Sequence, residues 1–482
     1  MTTAPEPSTL ARELEEQRRW RLRSQWEGLD LFDRLVRNEF ISADEHADRA
    51  DAAVRQIVGY AAEHIPFYRD HLREQGIDPE QIDGVDKLPL LPVLTKQDLQ
   101  RRAADLRPAR LPPGEQPGGI ARTSGTTGQP AEILHTRFSR NMFAVLKQRE
   151  LRWFRFDPNG TFAYIRPPTD LPRRGDGEPI GLNTTCYHDS WPSAGRYFNT
   201  GPFRGFSDLN PVEAQVEWLL KHRPEYVLGQ SAQLEHLALG FMDHTPPPNL
   251  QAFEAISQQL TPDMRHRIES TFGTPVQQNY GLNEIGIVAV RCPEGGRYHV
   301  HTEHCLVEVV DEEGRPVAPG ERGRLLVTGL SNAAMPLLRY DADDMAVAAE
   351  GPCPCGRTLP GFQDLVGRYR RTIALPPGTW GYWDALLYTL GHAPRELIGG
   401  LRKYQLHQFR DGSFELRLES SALPDALLDA IHGAWRRHGG AEAAPLEIRV
   451  LKDIPRPAGG KFQNFTSDYA PFPAPVEDAD AT

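Results

Sequence analysis

Between residues 161 and 243 the chain alternates between two hydrophobic periods. "TFAYIR" reads as a short strand, "PVEAQVEWLLKHR" as an amphipathic helix, "PEYVLG" as a strand and "SAQLEHLALGFMD" as a second helix. Parallel neighbours cannot be joined by a tight turn, so helices between short strands predict an α/β layer architecture with a largely parallel sheet. Ligands of such sheets gather at the carboxyl ends of the strands, where the loops lie. The polar loops are therefore where chemistry is to be sought.

Around this centre the pattern changes. From Ala11 to Leu72 apolar residues recur at helical spacing, with Pro66 expected to kink or end a turn, and "DKLPLLPVLTKQDLQ" places a short helix carrying Lys96 and Asp98 between Pro-rich connectors. From Tyr298 to Glu350, "HCLVEVVDEEGRPVAPGERGRLLVTGL" has two alternating runs across a Gly/Pro turn, a hairpin signature. After Gly367, strand-like "YQLHQF" and "SFELRLE", helical "PDALLDAIHGAWRRH" and strand-like "LEIRVL" predict a small α+β unit. At 482 residues, two or three domains are expected at about 150 residues each. The reading is an N-terminal domain over 1–367, its first 117 residues a helical opening region, and a C-terminal domain over 368–482. The acidic end "PVEDADAT" is expected to be disordered.

Charge excludes some partners. Lys and Arg number 54 against 65 Asp and Glu, a net −11, which offers no broad basic surface to nucleic acid or an anionic membrane. No apolar run approaches the roughly 20 residues that span a bilayer. The opening "MTTAPEPSTLARELEEQ" lacks the basic and apolar regions of a secretory leader, so a cytoplasmic location is the default expectation. Any phosphate on a ligand must be met locally.

"ARTSGTTGQP", residues 121–130, is suited to that task. Successive N–H groups in a Gly-rich turn form a nest for phosphate oxygens, Ser and Thr hydroxyls add donors, and Gly125 and Gly128 permit close approach. It lacks the G-x-x-x-x-G-K-[ST] order of a P-loop, and an ordinary Thr/Ser turn would read the same way. In "QQNYGLNEIG", Tyr280 could stack on a purine and Glu284 offers oxygen to a hard cation such as Mg²⁺; the bland reading is a strand ending in a Gly turn. Five cysteines in a chain of this length do not make a disulfide framework. Cys292, His299, Cys353 and Cys355 have the thiolate and imidazole chemistry of a closed tetrahedral zinc site, which would be structural; buried free thiols are the alternative, and His301, His304 and Cys305 are rival ligands.

"TSGTTGQP" resembles the phosphate loop of the adenylate-forming acyl and aryl ligase superfamily, and "HIPFYRDHLREQGIDPEQIDGVDKLPLLPVLTKQDLQ" is similar to the opening region of its phenylacetate-CoA ligase branch. The resemblance runs from about residue 50 to residue 466. It implies a large α/β domain with a β-rich portion and a small mobile α+β lid. By the same similarity Thr123, Ser124, Gly125, Thr126, Thr127 and Gly128 would wrap ATP phosphates, with Gln129 where a lysine commonly stands. Asn279 and Tyr280 would meet adenine, Gly281 would belong to the same nucleotide-binding motif, Asn283 would lie near phosphate, and Glu284 would hold Mg²⁺. In "MPLLRYDADD", Asp344 would hold the ribose hydroxyls, with Asp343 replacing the usual glycine. Arg368 would approach ribose and phosphate near the hinge, where Arg370 and Arg371 replace an acidic residue. Lys461, in "PRPAGGKFQNF", would enter the site during adenylation; a long ammonium suits charge gathered in an in-line displacement. The branch also has a Cys near a GxH and a CxCGR segment, like this chain.

The implied reaction is attack by a small, aromatic carboxylic acid on the α-phosphorus of Mg·ATP, then transfer of the acyl group to CoA. The loop "TIALPPGTWGYWDALLY" departs from the usual phrase beside the thiol channel, which keeps an amine or a carrier-protein thiol open as acceptor. An inactive nucleotide-binding protein is disfavoured because Glu284, Asp344, Arg368 and Lys461 are all present. Tyr187, His188 and Trp191 are candidate pocket residues for the acid, a surface loop being the alternative. A homodimer is an expectation of the family.

Overall fold

The computed structural model describes residues 28–122, 131–173, 177–368, 376, 378–420, 423–455 and 462–469. The N-terminal part is helical at 28–38, Ala43–His64 and Pro66–Gln75. The Ser42 hydroxyl caps the second of these by accepting from Glu45 N–H. Pro66 does not kink this helix; it opens the next one at N1, where its missing N–H costs nothing. Val54, Ile57, Val58 and Ala61, spaced along one face, are buried in the core below. Thr95 and Asp98 form a capping box for the helix Lys96–Arg101. Just before it, Leu94 N–H donates to the Arg339 carbonyl and its own carbonyl accepts from Asp341 N–H, lacing this region to a strand of the site.

Strands β1 (Pro117–Arg122) and β2 (Glu132–Thr136) form an antiparallel pair. A twelve-stranded mixed sheet follows. Its first half comprises β3 (Phe162–Arg166), β4 (Cys186–His188), β5 (Phe203–Ser207), β6 (Tyr226–Gln230) and β7 (Ala252–Ile256), leading to β8 (Val276–Leu282). The second half comprises β9 (Gly286–Arg291), β10 (Tyr298–Val300), β11 (Cys305–Val310), β12 (Arg322–Gly329), β13 (Tyr340–Ala348) and β14 (Gly361–Arg368). The spatial order is β11-β12-β13-β14-β10-β9-β8-β7-β6-β3-β5-β4. Strands β5, β3, β6, β7 and β8 run parallel, and the pairs from β8 to β11 are antiparallel.

Side-chain alternation sorts the parallel half into two cores. Ala163, Ile165, Val227, Phe253 and Ala255 meet the helices Val212–His222, Ser231–Gly240 and Pro262–Phe272. Phe162, Tyr226, Leu228 and Ala252 meet the helix Arg137–Trp153 on the other face.

A separate four-stranded sheet, ordered β17-β16-β15-β18, holds β15 (Leu401–Gln408), β16 (Phe414–Ser420), β17 (Leu446–Leu451) and β18 (Phe465–Ser467). The phrase read above as a loop continues as a helix, Thr379–His392. Trp383, Leu386, Leu387 and Leu390 recur at helical spacing and are buried against this sheet, which explains why a helix forms there. The unit docks on two helices: Tyr404 donates to Glu235 Oε2 of Ser231–Gly240 at 2.8 Å, and Arg402 Nε to Glu213 of Val212–His222 at 2.7 Å.

Candidate active site

Strand β8 joins the two halves of the large sheet. Its Val276–Gln278 portion pairs in parallel with β7, and from Asn279 onward it pairs antiparallel with β9. Asn279 and Tyr280, adjacent on this strand, engage different partners. Tyr280 is buried edge-on to Phe362, and its hydroxyl donates to Asp344 Oδ2 at 2.8 Å. Asp344 lies on β13 opposite Arg368 of β14. The preceding Asp343 has φ 58°, a left-handed conformation in which glycine is unstrained and Asp is tolerated.

The turn after β8 carries Glu284. Its carboxylate is buried, and Oε1 accepts from the Tyr340 hydroxyl at 3.0 Å. His304 steadies the next residue: Nε2–H donates to the Ile285 carbonyl at 3.0 Å, while Nδ1 accepts from Ser331 Oγ at 2.6 Å. Burial pulls the His304 pKa down to about 4, despite the favourable backbone contact, so the ring is neutral at pH 7. Gly281 and Asn283 are exposed, and a Cβ on Gly281 would come 3.0 Å from the Gly286 carbonyl oxygen. That close approach accounts for the glycine.

The phosphate-loop residues Thr123, Ser124, Gly125, Thr126, Thr127 and Gly128 lie outside the described residues, as do Gln129, Arg370, Arg371 and Lys461. The flanks of the first segment are fixed by the pairing of Arg122 with Glu132. Thr136, at the end of β2, then caps the helix Arg137–Trp153 by accepting from Ser139 N–H. Beside Lys461, the Phe462 carbonyl accepts from Gln258 Nε2 at 2.7 Å, two residues beyond the end of β7. The carboxyl edge of the parallel sheet thus meets the segment next to Lys461.

Asn279 turns away from Tyr280 into a buried charged group. Its amide donates to Glu150 Oε1 at 2.8 Å and to Glu254 Oε1 at 3.3 Å. Lys147 joins the same oxygens. Sequence reading missed this group because helix and strand patterns alone mark Lys147 and Glu254 as surface positions.

The acid-pocket expectation fares unevenly. Tyr187 and His188 are exposed on the edge strand β4, with Arg204 over the Tyr187 ring at 4.8 Å. Trp191 is instead a core residue, packed edge-on to Phe162, its indole N–H donating to the Gly160 carbonyl at 2.9 Å. A buried Trp needs both apolar packing and a partner for its N–H, and the loop supplies both.

Cys292, His299, Cys353 and Cys355 come together, their ligand atoms all within 4.8 Å of one another. Cys355 Sγ is 3.3 Å from His299 Nε2, and His299 Nδ1 donates to the Leu359 carbonyl at 3.1 Å, which aims Nε2 inward. Gly295 and Arg357 N–H donate to Cys292 and Cys355 Sγ. Burial pulls the His299 pKa down to about 4, leaving the neutral imidazole that binds metals. The group ties the β9–β10 turn to the β13–β14 connection. The rival ligands point elsewhere: His301 Nδ1 meets Arg149, His304 is occupied as above, and Cys305 Sγ faces the Val288 carbonyl.

Residues 186–335 match the model of the AMP-binding enzyme family. The chain is 28% identical over 328 residues to the phenylacetate-coenzyme A ligase of Thermus thermophilus, covering 65% of this chain and 68% of that protein. It is 26% identical to the enzyme of the same name from Escherichia coli K12, covering 68% and 72%. A 2-hydroxyisobutyryl-CoA ligase solved in the postadenylation state with its acyl-adenylate superposes with a TM-score of 0.69 at 20% identity, over 90% of this chain and 91% of that one. No helix among the described residues is long and apolar enough to cross a membrane. The chain thus carries a segment that matches the AMP-binding enzyme family and is similar over about two thirds of its length to phenylacetate-CoA ligases.

Proposed function

We propose that this protein is an AMP-forming acid–thiol ligase that converts a small aromatic carboxylic acid, ATP and CoA into an acyl-CoA, AMP and pyrophosphate. The observation that carries the reading is the Tyr280–Asp344 hydrogen bond. It joins the purine motif to the ribose motif across 64 residues of sequence, in the same part of the sheet as Glu284.

In the first step a carboxylate oxygen of the acid attacks the α-phosphorus and the bond to the β-phosphate bridging oxygen breaks, releasing pyrophosphate. The acid is ionised at neutral pH and needs no base. Tyr280 covers the purine and Asp344 accepts from the ribose hydroxyls. Thr123 to Gly128, with Asn283, donate to the phosphates, and Arg368 and Lys461 offset charge at the transferring group. Glu284, oriented by Tyr340, would hold Mg²⁺, which when bound neutralises phosphate charge. In the second step the CoA sulfur attacks the acyl carbonyl carbon and AMP leaves with the bonding pair. The C-terminal unit, residues 368–482, is the lid that exchanges Lys461 for the thiol. The Cys292–His299–Cys353–Cys355 donor set suits Zn²⁺, closed and structural, pinning the connection between the two strands that carry Asp344 and Arg368.

The test is pyrophosphate release from Mg·ATP with a panel of carboxylic acids, with and without CoA, followed by mass analysis. Acid-dependent release together with a thioester is expected. Release without a thioester moves the acceptor to an amine or carrier protein, and a response to aliphatic acids alone overturns the aromatic substrate.

A further inference from the structure

The sheet face that bears Asn279 holds charge where its neighbours hold hydrocarbon. Lys147 and Glu150, three residues apart on the helix Arg137–Trp153, and Glu254 in the middle of β7 are all buried. The donors converge on one oxygen of each carboxylate: Lys147 Nζ meets Glu254 Oε1 and lies 3.3 Å from Glu150 Oε1, and the Asn279 amide reaches the same two atoms. The other oxygens, Glu150 Oε2 and Glu254 Oε2, are buried without a partner.

A single ammonium faces two carboxylates, so one negative charge or one proton is in excess. Burial, together with the neighbouring Glu254, pushes the Glu150 carboxyl well above the usual carboxylate range. Each unpartnered buried oxygen has given up its hydration without a hydrogen bond in return. Such a group is a poor device for stability, since well-packed hydrocarbon of the same volume often does as well or better.

Its location gives it another use. Register sets Tyr164 of β3, Leu228 of β6 and Glu254 of β7 side by side, and Asn279 lies one step nearer the carboxyl edge on the same face. Leu146, Tyr164, Leu228 and Ile256 share this core. A ring seated against these apolar residues and bearing a donor at its far end would supply what the two oxygens lack.

We propose that Glu150 and Glu254, held by Lys147 and Asn279, select an aryl acid that carries a hydrogen-bond donor, an amino or hydroxyl substituent, on its ring. The inference rests on the adenylation reading above. A site built to accept a hydrogen bond rejects the analogue lacking the donor far more strongly than a hydrophobic slot rejects a missing methylene.

Acid-dependent pyrophosphate release by the full-length protein tests this without any variant. Amino- and hydroxybenzoates would be compared with methyl and methoxy analogues of matched size and ring position. At least about a tenfold higher kcat/KM for the donor-bearing acids is expected, and the amino and hydroxyl arms distinguish the two donors. Glu254→Gln and Glu150→Gln, checked for folding by thermal melting, should each shrink the donor-to-methyl ratio. Equal use of methyl, methoxy and donor-bearing acids by the wild type overturns the selectivity while leaving the ligase reading intact. No release with any acid overturns both.

Discussion

The Tyr280 hydroxyl donates to Asp344 Oδ2 at 2.8 Å, so the residue assigned to the purine orients the residue assigned to the ribose. Tyr280→Phe keeps the ring and its edge contact with Phe362 but removes the donor. A hydrogen bond to a charged group is worth about 1.5–3 kcal/mol, so roughly a tenfold rise in KM for ATP is expected, with a small fall in melting temperature. Steady-state kinetics at saturating acid measure it; an unchanged KM would show that Asp344 is aligned without Tyr280.

The four-residue cysteine–histidine group predicts a metal content. The purified protein is expected to carry about one zinc per chain, measured by mass spectrometry of the metal. Cys355→Ser removes the thiolate nearest His299 and should abolish retention. A ligand present at about 1,000 times its Kd stabilises by roughly 4 kcal/mol, so the variant and the chelated protein should both melt well below the wild type. Full zinc content in Cys355→Ser would rule out this ligand set.

Much of this site was legible because its parts are local. The alternation of "TFAYIR" and "PEYVLG" with amphipathic helices carries the parallel sheet, and the cysteine spacing carries the metal group. Tyr340 stands within "MPLLRYDADD", but its contact with Glu284 is not readable there, because 56 residues separate them and only the pairing of strands brings them together. Lys147 and Glu254 were hidden for the same reason, 107 residues apart. The Thr379–His392 helix was obscured by its glycines, and Trp191 by its polar neighbours, since an aromatic residue in a polar loop packs inward as readily as it lines a pocket.

His304 gives a pH dependence. Its folded pKa of about 4 lies below the unfolded value of about 6.5, so between these values the unfolded state binds more protons and stability falls as pH falls. The contribution is fully present above pH ~6.5 and is lost as pH drops through that window towards about 4, by roughly 3 kcal/mol for a shift of this size. His304→Gln keeps a donor towards Ile285 and removes the titration. Denaturant unfolding between pH 7 and pH 4.5 should show a shallower loss in the variant; identical slopes would assign the acid sensitivity to other groups.

Lys461 tests the two-step reaction most directly. Phe462, its neighbour in sequence, is held by Gln258 just beyond β7, at the carboxyl edge of the parallel strands. An ammonium that offsets charge during displacement at the α-phosphorus acts in the first step and not in attack by sulfur on the carbonyl. Lys461→Ala should therefore lower acid-dependent pyrophosphate release by at least about 100-fold, while acyl-CoA formation from a presynthesised acyl-adenylate changes little. Gln258→Ala, which frees the Phe462 carbonyl without touching the ammonium, should give a smaller loss in the same direction. Equal losses in both half-reactions would assign Lys461 a role in holding the lid and remove it from the chemistry.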